Sequence, residues 1–110
     1  MEELTVRLRL GEVGWSLVDH AAAERHETPG AFIEAACGDF HRRLLASTPS
    51  MEVPRLRPGS GSHERQLTLT GAPELWEDLK LEAGRQGIDV ARLIEHAAML
   101  LAASAASPSD

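Results

Sequence analysis

The side chains of this sequence that could do chemistry stand at alternate positions in two short stretches. They are Thr5, Arg7 and Arg9 in LTVRLRL and Gln66, Thr68 and Thr70 in RQLTLTG. Apolar residues fill most positions between them, which is the period of two expected for a half-buried strand. Arg7 and Arg9, with Arg65 at the start of the second stretch, are therefore expected to gather on one outward surface. These arginines would give that surface a positive charge.

The charge balance of the whole chain contrasts with that face. The formal net charge is −6. This argues against non-specific attachment to nucleic acid through many basic residues, but it leaves a local basic patch open. The alternative is a solvated strand edge whose arginines guard against aggregation, and the pattern alone favours neither.

No other pattern in the sequence predicts a reactive centre. The five histidines show no metal-ligand spacing with cysteine or acids. Cys37, the one cysteine, lies between apolar residues, so we expect a core thiol and no internal disulfide. No Ser–His–Asp order, glycine-rich phosphate loop or pair of catalytic carboxylates is present. We therefore expect no catalytic residues, no metal, no cofactor and no enzyme.

The cellular compartment can also be predicted from the sequence. No apolar run approaches the roughly 20 residues that span a bilayer. The first ten residues lack the basic and apolar regions of a signal peptide. With a single cysteine, these features predict a cytoplasmic protein that does not contact membranes.

An internal repeat becomes visible when the chain is shifted against itself by 61 positions. Matching pairs at this offset include Trp15 with Trp76, Ala22 with Ala83, Ile33 with Ile94 and Glu34 with Glu95. Both tryptophans and the apolar pattern persist at one offset without a gap. The sequence therefore predicts a tandem duplication.

Each copy is predicted to contain a strand and two helices. Pro73 suits the first position of a helix, as does Pro29, while Thr28 and Asp89 are N-cap residues by type. The predicted units are residues 1–46 as the first copy, 47–64 as a Pro/Gly/Ser-rich linker, 65–106 as the second copy and 107–110 as a tail. The apolar stripe of the first helix is expected to run from Val13 and Trp15 to Ala22 in copy one.

One strand and two helices bury too little surface to be stable alone, and a lone strand cannot satisfy its backbone groups. The two copies are therefore expected to fold as one unit, mainly α with a two-stranded antiparallel ribbon. A twofold axis through the outward face would place Arg7 opposite Thr68, Thr5 opposite Thr70 and Arg9 opposite Gln66. The predicted core is Val6, Leu8, Leu67, Leu69, Phe32, Ile33, Phe40, Leu93, Ile94 and Leu101.

This arrangement resembles the ribbon-helix-helix family of transcriptional regulators, over residues 4–46 and 65–106 and most closely in the stretch LTLTGAPELWEDLKLEAGRQGIDVARLIEHAAMLL. The resemblance implies an intramolecular pseudo-dimer whose ribbon lies in the major groove of double-stranded DNA. The implied base-contacting residues are Thr5, Arg7, Arg9, Gln66, Thr68 and Thr70. The amides that begin the second helices would hold phosphates, and the implied phosphate-side residues are Thr28, Pro29 and Gly30 and Asp89, Val90 and Ala91. Arg55 and Arg57 in the linker are further backbone candidates, although a solvated linker is the simpler interpretation.

The expected function is sequence-specific DNA binding by a transcriptional regulator such as a repressor. Because the two exposed triplets differ, the site is expected to be non-palindromic, with guanine preferred beside the arginines. The alternative is a protein-interaction module that keeps the fold without DNA. Acids at Glu27 and Asp89, and at Glu34 and Glu95 where the family often has arginine, favour that alternative. Further self-association of pseudo-dimers is left open.

Overall fold

The structure is a computed structural model that describes residues 1–46 and 63–106. These residues form β1 (Glu2–Leu10), α1 (Glu12–Glu24), α2 (Pro29–Leu45), β2 (His63–Gly71), α3 (Pro73–Gln86) and α4 (Val90–Ala106). The predicted class, mainly helical with a two-stranded antiparallel ribbon, is confirmed. Both strands begin two residues earlier than LTVRLRL and RQLTLTG suggested. The predicted linker residues Arg55 and Arg57 and the tail lie outside the described residues.

The two strands pair antiparallel within the one chain, but the predicted register is wrong by two residues. Val6 faces Leu67 at the centre, and the outward pairs are Glu3–Thr70, Thr5–Thr68, Arg7–Gln66 and Arg9–Glu64. Val6 and Leu67 are themselves 61 positions apart. The ribbon is therefore centred on an inward-facing pair, whereas the prediction centred it on the outward pair Arg7 and Thr68.

The register is held by the two tryptophans. Trp15 of α1 donates from Nε1 to the carbonyl of His63 at 2.8 Å, and Trp76 of α3 donates to the carbonyl of Glu2 at 3.1 Å. Each bond joins a first helix to the strand of the other half of the chain. A slip of two residues would move each acceptor by about 7 Å, so both bonds would be lost.

Local sequence accounts for the ends of the helices. The amide of Ala31 donates to Thr28 Oγ1 at 3.1 Å, and Pro29 is the first residue of α2, so the predicted cap is confirmed. Pro73 is likewise the first residue of α3. Asp89 immediately precedes α4, and its carbonyl accepts from the amides of Arg92 and Leu93. The second helix of each half therefore begins where the sequence predicted.

The core lies between the ribbon and the four helices. Of the ten predicted core residues, Val6, Leu8, Leu69, Phe32, Ile33, Phe40, Leu93 and Ile94 are buried, while Leu67 and Leu101 are partly buried. Both tryptophans are buried, and burial raises the pKa of the Cys37 thiol to about 12, as suits a core thiol. Val13 was predicted wrongly, because its side chain is 73% exposed. It lies two residues before Trp15 and hence about 200° around the helix from the buried side.

Candidate nucleic-acid interface

The outward side of the ribbon, here called the ribbon face, brings all six predicted base-contacting residues together. Its eight side chains are Glu3, Thr5, Arg7, Arg9, Glu64, Gln66, Thr68 and Thr70. Thr70 is partly buried and the other seven are exposed. The alternation of the two strands is sufficient to explain this, because successive side chains of a strand point to opposite faces.

Arg65 does not belong to the ribbon face, so its predicted place was wrong. It stands opposite Leu8 and shares the inward parity of Leu67 and Leu69. Its guanidinium donates to both carboxylate oxygens of Asp19, at 2.9 and 3.0 Å, and lies 4.3 Å from the Trp15 ring. The hydrogen bonds from Arg65 lower the pKa of Asp19. Arg65 therefore covers α1 and is not part of the ribbon face.

The register divides the ribbon face into two unlike ends. The arginine end consists of Arg7, Arg9, Glu64 and Gln66, and the threonine end consists of Glu3, Thr5, Thr68 and Thr70. In the sequence, the two exposed triplets that differ belong to different strands, Thr-Arg-Arg in one and Gln-Thr-Thr in the other. In the antiparallel ribbon the difference instead runs from one end to the other, because each end receives residues from both strands.

The two ends also differ in their internal contacts. At the threonine end, Thr5 Oγ1 and Thr68 Oγ1 are 3.1 Å apart and share a hydrogen bond. At the arginine end, Arg9 Nε lies 3.3 Å from Glu64 Oε1, and the Arg9 side chain is 68% exposed. Within residues 1–46 and 63–106, Arg7 makes no ion pair. Arg7 is therefore the arginine of the ribbon face whose guanidinium is most available to a ligand.

Glu3 and Glu64 are ribbon-face residues that the predicted strands did not include. Their formal charges balance those of Arg7 and Arg9, so the ribbon face as a whole is neutral. The strand prediction stopped short of both positions. A signal was available, because Glu3 and Glu64 are identical residues at the offset of 61 and continue the alternation of each strand.

Two further acids, Glu34 and Glu95, tie the ribbon to the second helices. Glu95 Oε2 of α4 accepts the backbone N–H of Arg9 at 2.8 Å, and Glu34 Oε2 of α2 accepts that of Thr70 at 2.7 Å. We call them the carboxylate clasps. Both donors and both acceptors are related by the offset of 61. In the sequence these acids stand where the ribbon-helix-helix family often has arginine, and in the structure they accept edge amides of the strands.

Glu95 is the more deeply placed clasp, with 7% of its surface exposed. Burial raises the pKa of Glu95, while the hydrogen bond from the Arg9 amide and the charges of Arg92 and Arg9 lower it. Desolvation is the larger effect. The carboxylate of Glu95 is useful in this position because it accepts the hydrogen bond of the Arg9 amide, and a partly buried amide without a partner would be unfavourable.

The predicted phosphate-side residues begin α2 and α4, beside opposite ends of the ribbon. The clasps indicate which end: Glu34 places the early turns of α2 at Thr70, and Glu95 places those of α4 at Arg9. Thr28 and Asp89 are exposed, whereas Pro29, Gly30, Val90 and Ala91 are partly buried. Val90 and Ala91 pack against the core, so only their backbone amides remain candidates for a ligand.

The described part of the chain has neither a candidate metal site nor a candidate membrane span. Within residues 1–46 and 63–106, no group of three or more His, Cys, Asp or Glu side chains could hold a metal ion. No helix of these residues is long and apolar enough to cross a bilayer.

Comparison with known proteins adds no relative. No protein-family model matches the chain, and no curated protein or solved structure gave a significant match. Its function has therefore to be argued from the ribbon face and the elements that hold it.

Proposed function

We propose that the chain is a ribbon-helix-helix protein in which two tandem copies form an intramolecular pseudo-dimer. The order strand–helix–helix occurs twice, and the strands pair antiparallel. Both tryptophan bonds and both carboxylate clasps cross from one half to the other, and the offset of 61 relates the members of each pair. Such exchanged contacts are what a twofold arrangement of two copies requires.

On this fold we propose a sequence-specific DNA-binding transcriptional regulator that reads the major groove with its ribbon. The observation that carries the proposal is the ribbon face itself. It presents the guanidinium of Arg7, which makes no ion pair with the described residues, beside the amide of Gln66 and the hydroxyls of Thr5 and Thr68. The major groove, about 12 Å wide, admits a two-stranded ribbon, and these side-chain types match the donors, acceptors and methyl groups of base edges.

The early turns of α2 and α4 support the same function. They lie beside the threonine end and the arginine end, on opposite sides of the ribbon. Amides at a helix N-terminus favour phosphate, and such contacts orient a protein on the duplex without reading bases. Thr28, Pro29 and Gly30, and Asp89, Val90 and Ala91, are accordingly proposed to face the two phosphate backbones.

The proposed site is non-palindromic. Arg7 and Arg9 at the arginine end favour guanine, and Gln66 beside them suits adenine. The threonine end offers Thr5, Thr68 and Thr70, whose methyl groups suit thymine and whose hydroxyls accept several bases. The half-site at the arginine end should therefore be G-containing and strict, and the other more tolerant.

Three observations favour a second function, a protein-interaction module with the same fold. The ribbon face is formally neutral, the whole chain carries −6, and Asp89 is exposed at the start of α4. Each of these weakens attraction to a polyanion. In this alternative the ribbon face would bind a protein surface and not a duplex.

Selection from randomised duplexes, followed by binding titrations at several salt concentrations, separates the two functions. The regulator should enrich one asymmetric sequence, and its affinity should fall linearly in a plot of log K against log salt. Arg7→Ala should weaken the guanine preference at one end of that sequence only. Arg42→Ala, which removes an exposed arginine of α2, is the matched control and should leave the preference unchanged. Failure to retain any duplex at low salt would overturn the proposal.

A further inference from the structure

The arginine end contains one cross-strand ion pair, between Arg9 and Glu64. The two residues stand directly opposite each other, with 3.3 Å between Arg9 Nε and Glu64 Oε1. Their side chains are 68% and 44% exposed. An ion pair this exposed contributes little to stability, so folding does not explain why it is there.

The same position in the other half of the ribbon has the acid but not the arginine. Glu3 is 61 positions before Glu64, and it stands opposite Thr70, which is 61 positions after Arg9. Both acids lie on the ribbon face and both are exposed. Among the residues that the structure describes, only Glu64 of these two acids has a guanidinium beside it. The two ends therefore offer a natural comparison between a lone acid and an acid paired with arginine.

Base-edge chemistry gives the paired arrangement a specific use. Across the major groove a G·C pair presents two acceptors on guanine, N7 and O6, and then the N4 donor of cytosine. Arginine donates to the first two, and glutamate accepts from the third. An A·T pair presents an acceptor, a donor and an acceptor, so both side chains would meet the wrong group. A C·G pair reverses the order and fails in the same way.

We propose that Arg9 and Glu64 together read one G·C base pair, with Arg9 on guanine and Glu64 on cytosine. This inference rests on the proposed DNA binding and adds Glu64 to the base-contacting residues as the one that fixes the orientation of the pair. Cross-strand neighbours have Cβ atoms about 5 Å apart, which lets two long side chains converge on adjacent groups of one pair. The ion pair of the free protein holds both side chains near that arrangement.

Glu64→Gln tests the inference, with Glu3→Gln as its matched control. Each variant removes one negative charge at an equivalent place on the ribbon face, so each should raise non-specific affinity by a similar small factor. Only Glu64→Gln should reduce discrimination between the selected duplex and one in which the G·C pair is replaced by A·T, by a factor on the order of five to ten. Arg9→Ala should lose discrimination at the same base pair.

The possible outcomes separate this inference from the DNA-binding proposal. Thermal unfolding of each variant, compared with wild type, shows that the fold is kept. If wild type selects a sequence but Glu64→Gln keeps its full discrimination, or changes only as Glu3→Gln does, the carboxylate acts through charge alone and this inference is wrong. If wild type retains no duplex at low salt, the DNA-binding proposal fails and this inference fails with it.

Discussion

The two halves of the molecule, residues 1–46 and 63–106, are held together by two pairs of equivalent contacts, but they differ in other contacts and on the ribbon face. Glu34 and Glu95 accept equivalent strand amides, and Trp15 and Trp76 bind equivalent carbonyls. Those four side chains reach across to the other half. A change in any one of them would leave a polar group of the other half without its partner, which explains why these positions match.

Other contacts between the halves are not repeated at the offset of 61. Arg65, stacked on Trp15 and bound to Asp19, stands where the other half has Leu4, and Asp19 stands where the other half has Lys80. The ion pair therefore has no equivalent at these two positions. His41 of α2 lies 2.7 Å from Asp78 of α3, a contact whose equivalents are Ala102 and Leu17. Neither contact is repeated in the other half, and the unlike ends of the ribbon face differ in the same way.

The comparison predicts its largest effect in the shared core. Ile33→Ala and Ile94→Ala each remove a fully buried side chain at an equivalent position. Each should lower the free energy of unfolding by about 2–5 kcal/mol, because methyl groups are lost from a packed site. Both should act in one unfolding transition of the whole chain in chemical denaturation. A loss below about half a kcal/mol in either variant would mean that the halves do not share a core.

The carboxylate clasps come next in size. Glu95→Ala should lower the free energy of unfolding by about 1–3 kcal/mol, since the Arg9 amide loses its acceptor in a partly buried place. Glu34→Ala should cost less, because Glu34 is only partly buried. Equal losses in urea denaturation would contradict this difference between the halves.

The clasp at Glu95 also predicts a dependence on pH. Burial raises the pKa of Glu95 above its ordinary 4.5, so protonation of Glu95 is easier in the folded protein than in the unfolded chain. Its contribution to stability is fully present below pH 4.5 and is lost as the pH rises through the folded pKa. Glu95→Gln keeps an acceptor without a charge. The difference in unfolding free energy between this variant and wild type should therefore grow in favour of the variant from pH 4 to pH 7, and a constant difference would refute it.

A smaller effect is expected at the stacked ion pair. Arg65→Leu places in one half the residue type found at the equivalent position of the other. Because Arg65 and Asp19 are 38% and 45% exposed, solvent screens the pair, and its loss should cost less than about 1 kcal/mol. Since Arg65 lowers the pKa of Asp19, that contribution should vanish as the pH falls through the folded pKa of Asp19. Melting curves that show a large loss at neutral pH would contradict it.

The smallest effect is expected at the turn between the helices. His26 has φ 56° and Gly87, at the equivalent position, has φ 73°. A left-handed conformation costs a side chain about 1–2 kcal/mol, whereas glycine costs about 0.5–1 kcal/mol in unfolded-state entropy. His26→Gly should therefore raise the free energy of unfolding by about 0.5 kcal/mol. Gly87→Ala should lower it, and two changes of the same sign in thermal melts would show that the turns are not comparable.

The sequence by itself determined the local features of this protein, because each depends on a short periodic pattern. Alternation placed six polar side chains on the ribbon face, Thr28 with Pro29 marked the start of α2, and the offset of 61 identified the equivalent buried residues. The same alternation, applied to position 65, would have placed Arg65 inward. Arg65 was predicted to face outward because of its charge, although its place in the alternation is an inward one.

Only the tertiary structure decided the register, the two ends of the ribbon face and the role of the clasps. A slip of two residues leaves every side chain on the same face, so the apolar pattern is the same in both registers. The choice depends on Trp15 reaching His63 and Trp76 reaching Glu2, across more than 45 residues of chain. For the same reason Glu34 and Glu95 resemble ordinary helix-surface acids until the strand amides that they accept are brought to them by the other half.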